Sequence, residues 1–353
     1  MVDNNNKTPG LSNNISGLQD MSVPILTPPA PSIHDRLDWA TNYLKRIAPQ
    51  ISAHHQKQKK GLTLFILLLL ILFTSNLFFP YQTSYFVAGL CLFLVSNEVL
   101  CFIRPRNLPT QISFLKTQAA RTPKKWKLKD HELPTYTILL PLFDEAFMIP
   151  KLVEAICALN YPFDRLQVLF IIEEQDTPTL KAVQTNLIAS NLPKNTRIII
   201  VPQGQPQTKP RACNYAFTFA TGTYVVVYDA EDRPDINQLR EAADRFSECE
   251  QEQVCFQAPL VIQDSDYDWL GALMALNYTT QFCLQMPSYE KLGLPIFFGG
   301  TSNHIRARDL ALIGGWDLYN VTEDAELSLR LIKQGFHIRM LEKPTFETAT
   351  RGF

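Results

Sequence analysis

The chain has 353 residues, a formal net charge of −1 and a 46% share of hydrophobic residues. That length holds one large domain or two ordinary ones with attachments, and the near-neutral charge argues against a nucleic-acid binder, which would carry a basic excess. Seven cysteines without a C-x-x-C pair argue for reduced thiols in a cytosolic domain rather than a disulfide framework or a zinc site.

Residues 1–33 are rich in Asn, Ser, Pro and Gly and lack apolar periodicity, which predicts a disordered tail. No basic segment precedes an apolar core there, so it does not read as a signal peptide. Residues 34–60 predict a polar helix ending in the basic run QKQKK, a basic juxtamembrane segment. Two apolar stretches follow, 61–79 and 85–103, each close to the ~20 residues that cross a bilayer. The first is uncharged and the second carries only Glu98 near its end. Buried helices of a soluble core are the alternative. Basic residues flank the pair, from Lys45 to Lys60 before it and from Arg104 to Lys129 after it. By the positive-inside rule both flanks are cytoplasmic. The expectation is a transmembrane hairpin over 61–103, a basic linker over 104–133 along anionic headgroups, and a cytosolic domain over 134–353.

From 135 the pattern alternates between strand and helix. Strands are predicted over 136–140, 166–173, 196–201 and 224–228, with helices around 152–159, 179–190 and 210–220. The strands are continuous apolar runs, as in a parallel sheet covered on both faces. Such alternation implies βαβ crossovers and an open α/β sheet. Beyond 235 the order loosens: a helix over 235–250, a strand near VCFQAPL, a long helix from 266, a strand near PIFFGG, and helices after Arg308 and Thr322.

Ligands of open α/β sheets bind beyond the carboxyl ends of the strands, and acids gather at three of those ends. They are Asp144 and Glu145 in LLPLFDE, Glu173, Glu174 and Asp176 in LFIIEEQD, and Asp229, Glu231 and Asp232 in YVVVYDAEDRPD. Carboxylates about 6 Å apart repel by roughly 3 kcal/mol at an effective dielectric near 20. Solvent, basic partners or a divalent cation would relieve this, and oxygen ligands suit Mg2+ or Mn2+. Asp229 and Glu231 can turn toward one point and hold a metal that holds a diphosphate, although an ordinary acidic turn explains the stretch alone equally well. Lys209 and Arg211 open a helix, a natural place for phosphate oxygens. In FFGGTSNHIRARDL, Gly300 and Thr301 offer close backbone approach to a ligand, and His304 reads as a substrate contact or a structural hydrogen-bonding residue. Glu323 and Asp324 fall in the first turn of a helix capped by Thr322. Acids there are often only dipole partners, but a carboxylate facing a metal–diphosphate site could take a proton from a hydroxyl.

The ordered set PLFDE, FIIEEQD, KPRACNYA, YDAED, FFGGTSNHIR, GGWD and VTED resembles the processive, membrane-bound glycosyltransferases of family 2, with cellulose-synthase-like bacterial enzymes as the nearest likeness, over about 135–345. That resemblance implies an α/β GT-A fold (Rossmann-like, a nucleotide-diphospho-sugar transferase) preceded by two transmembrane helices. It implies a nucleotide-sugar donor, commonly UDP-linked, inversion at the anomeric carbon, and a growing glycan or lipid as acceptor at a bacterial-type inner membrane. Residue by residue, Asp229 and Glu231 match the metal- and diphosphate-binding D-x-D, with Glu in place of the second Asp. Glu173 and Glu174 match an acidic pair that helps hold the nucleotide, Glu145 joins the donor-binding acids, and Lys209 matches a lysine near the donor. Asp324 matches the catalytic base, with Glu323, Gly300, Thr301 and His304 as acceptor or supporting residues. The family's Q-x-x-R-W segment has no counterpart before Phe353. The expectation is a truncated or split product, weak or inactive alone, partnered by a separate C-terminal part. A membrane-tethered nucleotide-sugar scaffold or sensor is the non-catalytic alternative, and a soluble nucleotidyltransferase fits the apolar stretches poorly.

Overall fold

The computed structural model describes residues 32–49, 52–53, 126–249, 253–262 and 269–347, with scattered positions between 66 and 92. Almost all of the expected tail 1–33 and most of the hairpin and basic linker lie outside the described residues. Among the described residues no helix is long and apolar enough to cross a membrane.

The sheet begins as the alternation predicts. Strands β1 (Tyr136–Leu142), β2 (Leu166–Glu173), β3 (Asn195–Val201) and β4 (Tyr224–Val227) run parallel, in the order β3-β2-β1-β4. Helices α2 (Ile149–Cys157), α3 (Thr177–Ala189) and α4 (Lys209–Phe217) make the crossovers. Alternate residues of each strand feed two separate cores. Ile138, Leu140, Phe170 and Val226 share one with α2 and with α5 (Gln238–Glu248). Leu139, Leu169, Ile171, Val225 and Val227 share the other with α4. This double burial is why the strands read as unbroken apolar runs.

The second half departs from the expected pattern and makes the sheet mixed. The remaining strands are β5 (Asp232–Pro234), β6 (Val254–Gln257), β7 (Leu260–Ile262), β8 (Asn303–Arg306), β9 (His337–Met340) and β10 (Thr345–Glu347). β8 pairs antiparallel with both β4 and β6, and β9 closes the described seven-stranded order β3-β2-β1-β4-β8-β6-β9. The strand expected at PIFFGG therefore lies a few residues later, over NHIR. The apolar run before it packs Ile296 and Phe298 into the core without pairing. β5, β10 and β7 form a second, small sheet. Between β7 and β8 stand α6 (Trp269–Tyr278), a π-helical segment (Thr279–Gln285) and α7 (Met286–Lys291). Helices α8 (Ala307–Leu312) and α9 (Glu323–Lys333) follow β8.

The helix of the 34–60 segment is shorter than its polar run suggests. α1 (Ile33–Ile47) starts at a capping box, with Asp35 N–H donating to Ser32 Oγ at 3.2 Å and Ser32 N–H to Asp35 Oδ2 at 3.0 Å. It buries Ala40 and Leu44 rather than running free toward the apolar stretches.

Phe246 of α5 is fully buried, stacked on Tyr224 at 4.2 Å and edge-on to Phe256 at 4.7 Å. Replacing it with Ala leaves a cavity, so Phe246→Ala should cost about 3–5 kcal/mol in denaturant unfolding. A loss below about 1 kcal/mol would contradict this packing.

Candidate active site

At the end of β1, Asp144 takes a left-handed conformation (φ 56°) and its N–H donates to Asp176 Oδ2 at 2.7 Å. Asp176 also caps α3, accepting from Thr179 N–H at 3.1 Å, and Glu145 N–H donates to Thr179 Oγ1 at 3.1 Å. This bracing places the Glu145 carboxyl near the acids after β4. Burial, and then Glu231 and Asp229, push it up to about 7 against the pull of the Phe143 N–H and of Lys209.

At the end of β4, Lys209 Nζ stands 2.5 Å from Asp229 Oδ1 and donates to Gly300 O at 3.3 Å. Burial opposes the Lys209 charge, but Asp229 and Glu323 outweigh it and hold the ammonium firmly protonated. Asp232 does a different job from its neighbours. Its buried Oδ2 accepts from Asp229 N–H at 2.7 Å and from the Thr301 hydroxyl. The turn is thus closed by Asp232, leaving Asp229 and Glu231 at its lip. Burial, Asp229 and Glu347 push Asp232 well above the carboxylate range, which favours its neutral form, and its Oδ1 has no partner.

Asp324 comes to the same place from α9. Gly300 has φ +83°, and a Cβ on it would lie 3.8 Å from Asp324 Oδ2. The Gly300 peptide thus sits between Lys209, which its carbonyl accepts from, and the base candidate. Ser328 fixes the approach: its hydroxyl accepts from Phe298 N–H at 2.8 Å and donates to Asp324 O at 2.7 Å. Glu323 joins the cluster too. Burial raises its carboxyl, with Asp324 and Asp229 adding to the rise and its own N–H and Lys209 opposing.

Glu173 and Glu174 keep to one side, at the end of β2. Glu173 is buried, with Oε2 3.8 Å from Arg211 Nη1, and both atoms lack a hydrogen-bond partner. Burial raises its carboxyl and Arg211 opposes the rise. Arg211 Nη2 donates to Pro202 O at 2.7 Å, so this arginine turns to Glu173 rather than toward phosphate beside Lys209. Glu174 Oε2 accepts from Gln203 N–H at 3.1 Å.

His304 lies in the core. It is fully buried on the interior strand β8, its Nδ1 2.6 Å from Tyr136 Oη and its Nε2 3.2 Å from Gln238 Oε1. Burial lowers it to about 3, so it stays neutral. It belongs to the supporting core, as does Thr301.

The sequence reading missed Glu347. β10 sets it directly opposite Asp232 in antiparallel register, which puts both side chains on one face of the small sheet. Burial, Glu231 and Asp229 push Glu347 up to about 7, with Lys209 opposing. Its only local signal is an acid in a short β-type run, TFE, with no motif attached.

Among the described residues no three acidic, His or Cys side chains would cage a metal by themselves. The donor chemistry nevertheless fits a hard cation that takes one or two carboxylates and completes its shell with phosphate oxygens and water. Asp229 and Glu231 present such oxygens amid more negative charge than Lys209 balances.

Residues 134–352 match the model of the family described as "Glycosyltransferase like family 2". The chain belongs to that family. Among curated relatives, Probable glycosyltransferase YdaM of Bacillus subtilis is 25% identical over 241 residues, covering 61% of this chain and 50% of the relative. The beta-monoglucosyldiacylglycerol synthase of Synechocystis is 23% identical over 218 residues, covering 61% and 43%. The chain thus spans about half the length of the curated relatives it matches. Among solved structures, a mannosyltransferase of Pyrobaculum calidifontis in complex with GDP-Man and Mn2+ aligns with a TM-score of 0.48 at 19% identity, over 73% of this chain and 68% of that one. The mixed sheet of this family-2 domain, with acids massed at the carboxyl ends of its parallel strands, is GT-A-like.

The raised carboxyls have a consequence for stability. Glu145 and Glu347 bind protons in the folded state up to about pH 7 but only to the ordinary carboxylate range when unfolded. Their contribution is therefore present at low pH and lost as pH rises toward 7. Without metal, the melting temperature should fall between pH 5 and 7.5, and Mn2+ with UDP should raise it more at pH 7.5 than at pH 5. A flat profile with no metal effect would count against this cluster.

Proposed function

We propose that the protein is an inverting glycosyltransferase that moves a sugar from a nucleotide-sugar donor, UDP-linked by resemblance, to a growing glycan or lipid acceptor at a membrane. The observation that carries the proposal is the Gly300 peptide, flanked by Lys209 on Asp229 and by Asp324. The groups needed by the leaving diphosphate and by the attacking hydroxyl thus meet at one place.

Asp229 and Glu231 would hold Mg2+ or Mn2+, and the chemistry such a cation supplies when bound is neutralisation of charge on the leaving diphosphate. Lys209, paired with Asp229, would add its positive charge beside the same diphosphate. Glu173, which the resemblance gives to the nucleotide, is buried 3.8 Å from Arg211, so the exposed Glu174 beside it is the acid of the pair open to the nucleotide. Asp324 accepts the proton of the acceptor hydroxyl as that oxygen forms its bond to C1. The bond from C1 to the diphosphate oxygen breaks on the opposite face, so configuration inverts. Glu145, Glu323 and Glu347 surround this centre with carboxyls that burial and their neighbours push up.

The membrane setting rests on the two 19-residue apolar stretches and their basic flanks. It favours a bacterial-type inner membrane with the transferase domain on the cytoplasmic side, where a cellulose-synthase-like glycan or a glycolipid could reach the site.

Asp324→Asn should lower transfer by on the order of 10²–10⁴-fold, the worth of a positioned base, while nucleotide-sugar binding stays near wild type by calorimetry. Asp229→Ala should instead weaken binding that depends on Mn2+. An Asp324→Asn protein that transfers sugar at the wild-type rate would exclude Asp324 as the base.

A further inference from the structure

Two features of the sequence have no part in the chemistry above: the polar stretch ahead of the apolar segments, and the Gly314–Gly315 pair ahead of Trp316. In the structure they meet. α1 lies along α4, with Trp39 5.7 Å from the Phe217 ring and the Arg36 guanidinium 3.8 Å over Phe219. The glycine turn is pressed beneath it. A Cβ on Gly314 would stand 2.9 Å from Ile47 Cδ1, and one on Gly315 (φ +69°) would stand 2.3 Å from Asn214 Oδ1. The chain after α1 returns to the same loop, where Ala53 N–H donates to the buried Asp317 Oδ2 at 2.6 Å.

Asn214 of α4 sits at this crossing, 2% exposed. Its Nδ2 donates to Trp316 O at 2.8 Å and to Ala40 O of α1 at 3.3 Å, and its Oδ1 accepts from Trp316 N–H at 2.9 Å. On the other side of the turn, Arg330 of α9 donates to Ile313 O at 2.6 Å and Gly315 O at 2.7 Å. Glu326 holds that guanidinium by a fork of 2.6 and 2.7 Å. The turn over 313–316 is therefore fastened to α4 by Asn214 and to α9 by Arg330. Lys209 lies at the start of α4 and Asp324 in the first turn of α9.

We infer that Asn214 is a positioning residue that fixes how far Asp324 stands from Lys209, and that docking of α1 is part of that setting. The inference rests on the transferase reading above. Asn214 touches no reacting atom and acts through the Trp316 turn. Buried side-chain bonds of this kind hold two rigid elements in one arrangement, and a shift of about 1 Å at a reacting centre can cost about 10²-fold in rate. Asn214 could not be read from sequence, because its partners lie 102 and 174 residues away.

The test compares the full chain with Asn214→Asp, which keeps the acceptor and loses both donated bonds, and with Trp39→Ala, which loosens α1 from outside the core. UDP with Mn2+ is the binding probe. Both variants should bind it within about threefold of wild type, while kcat for transfer falls on the order of 10–100-fold at unchanged donor KM. Amide exchange over 313–330 should quicken by about tenfold, with exchange over 136–142 unchanged. Wild-type exchange over 313–330 in both variants overturns the inference, and this holds even where transfer is too slow to measure. A uniform loss of protection in both variants, with KM and kcat moving together, also overturns it, because that marks a purely structural role. Failure of the wild-type chain to bind UDP would sink the transferase reading, and the exchange result would still decide the role of Asn214.

Discussion

Like charges crowded at one sheet edge are the constraint on which the rest depends. Glu145, Glu323 and Glu347 each feel Asp229 there, Glu145 and Glu347 feel Glu231 as well, Lys209 pairs with Asp229, and Arg233 feels Glu231. In a partly buried setting such repulsion is worth several kcal/mol. A fold that keeps it must gain elsewhere, or must use the strain to hold a ligand of opposite charge. A divalent cation carrying a diphosphate would answer the requirement, because the metal would relieve the acids and Lys209 would add positive charge beside the phosphate.

The scaffold maintains this edge by making its supports rigid and its site acids free. Asp232 commits one buried oxygen to close the turn that presents Asp229 and Glu231, and burial pushes its carboxyl well above the usual range. Asp176 spends its carboxylate on the Asp144 backbone and on the cap of α3. Beneath them the Tyr136–His304–Gln238–Tyr228 chain satisfies the buried polar atoms where β1, β4 and β8 meet. In each case an acid or imidazole that looks functional in a list of residues has a hydrogen-bonding task. Beside Asp232, the neighbouring Asp229 and Glu231 are left at the lip of the turn.

The first half of the fold was legible because its strands are buried on both faces and its crossovers are local. That combination prints a plain alternation of apolar runs and helices. The three acidic strand ends followed from the same logic. The second half was not legible in this way. β8 is four residues long and pairs antiparallel with β4 and β6 across long loops, and the apolar run before it packs without pairing, so PIFFGG mimics a strand. Lys209 pairs with Asp229, and Lys209 and Asp324 both lie against Gly300. Glu347 and the inward turn of Arg211 were hidden, because each depends on register or on a partner distant in sequence. His304 could be read either way from its motif, and only its burial assigns it to the core.

The most direct test of the central claim is a crystal structure of the protein with Mn2+ and UDP, read by manganese anomalous scattering. The account predicts one strong peak at coordination distance from a carboxylate oxygen of Asp229 or Glu231, with diphosphate oxygens completing the shell and Lys209 alongside. A nucleotide seated without a metal at those acids, or a manganese peak held by other residues, would contradict it.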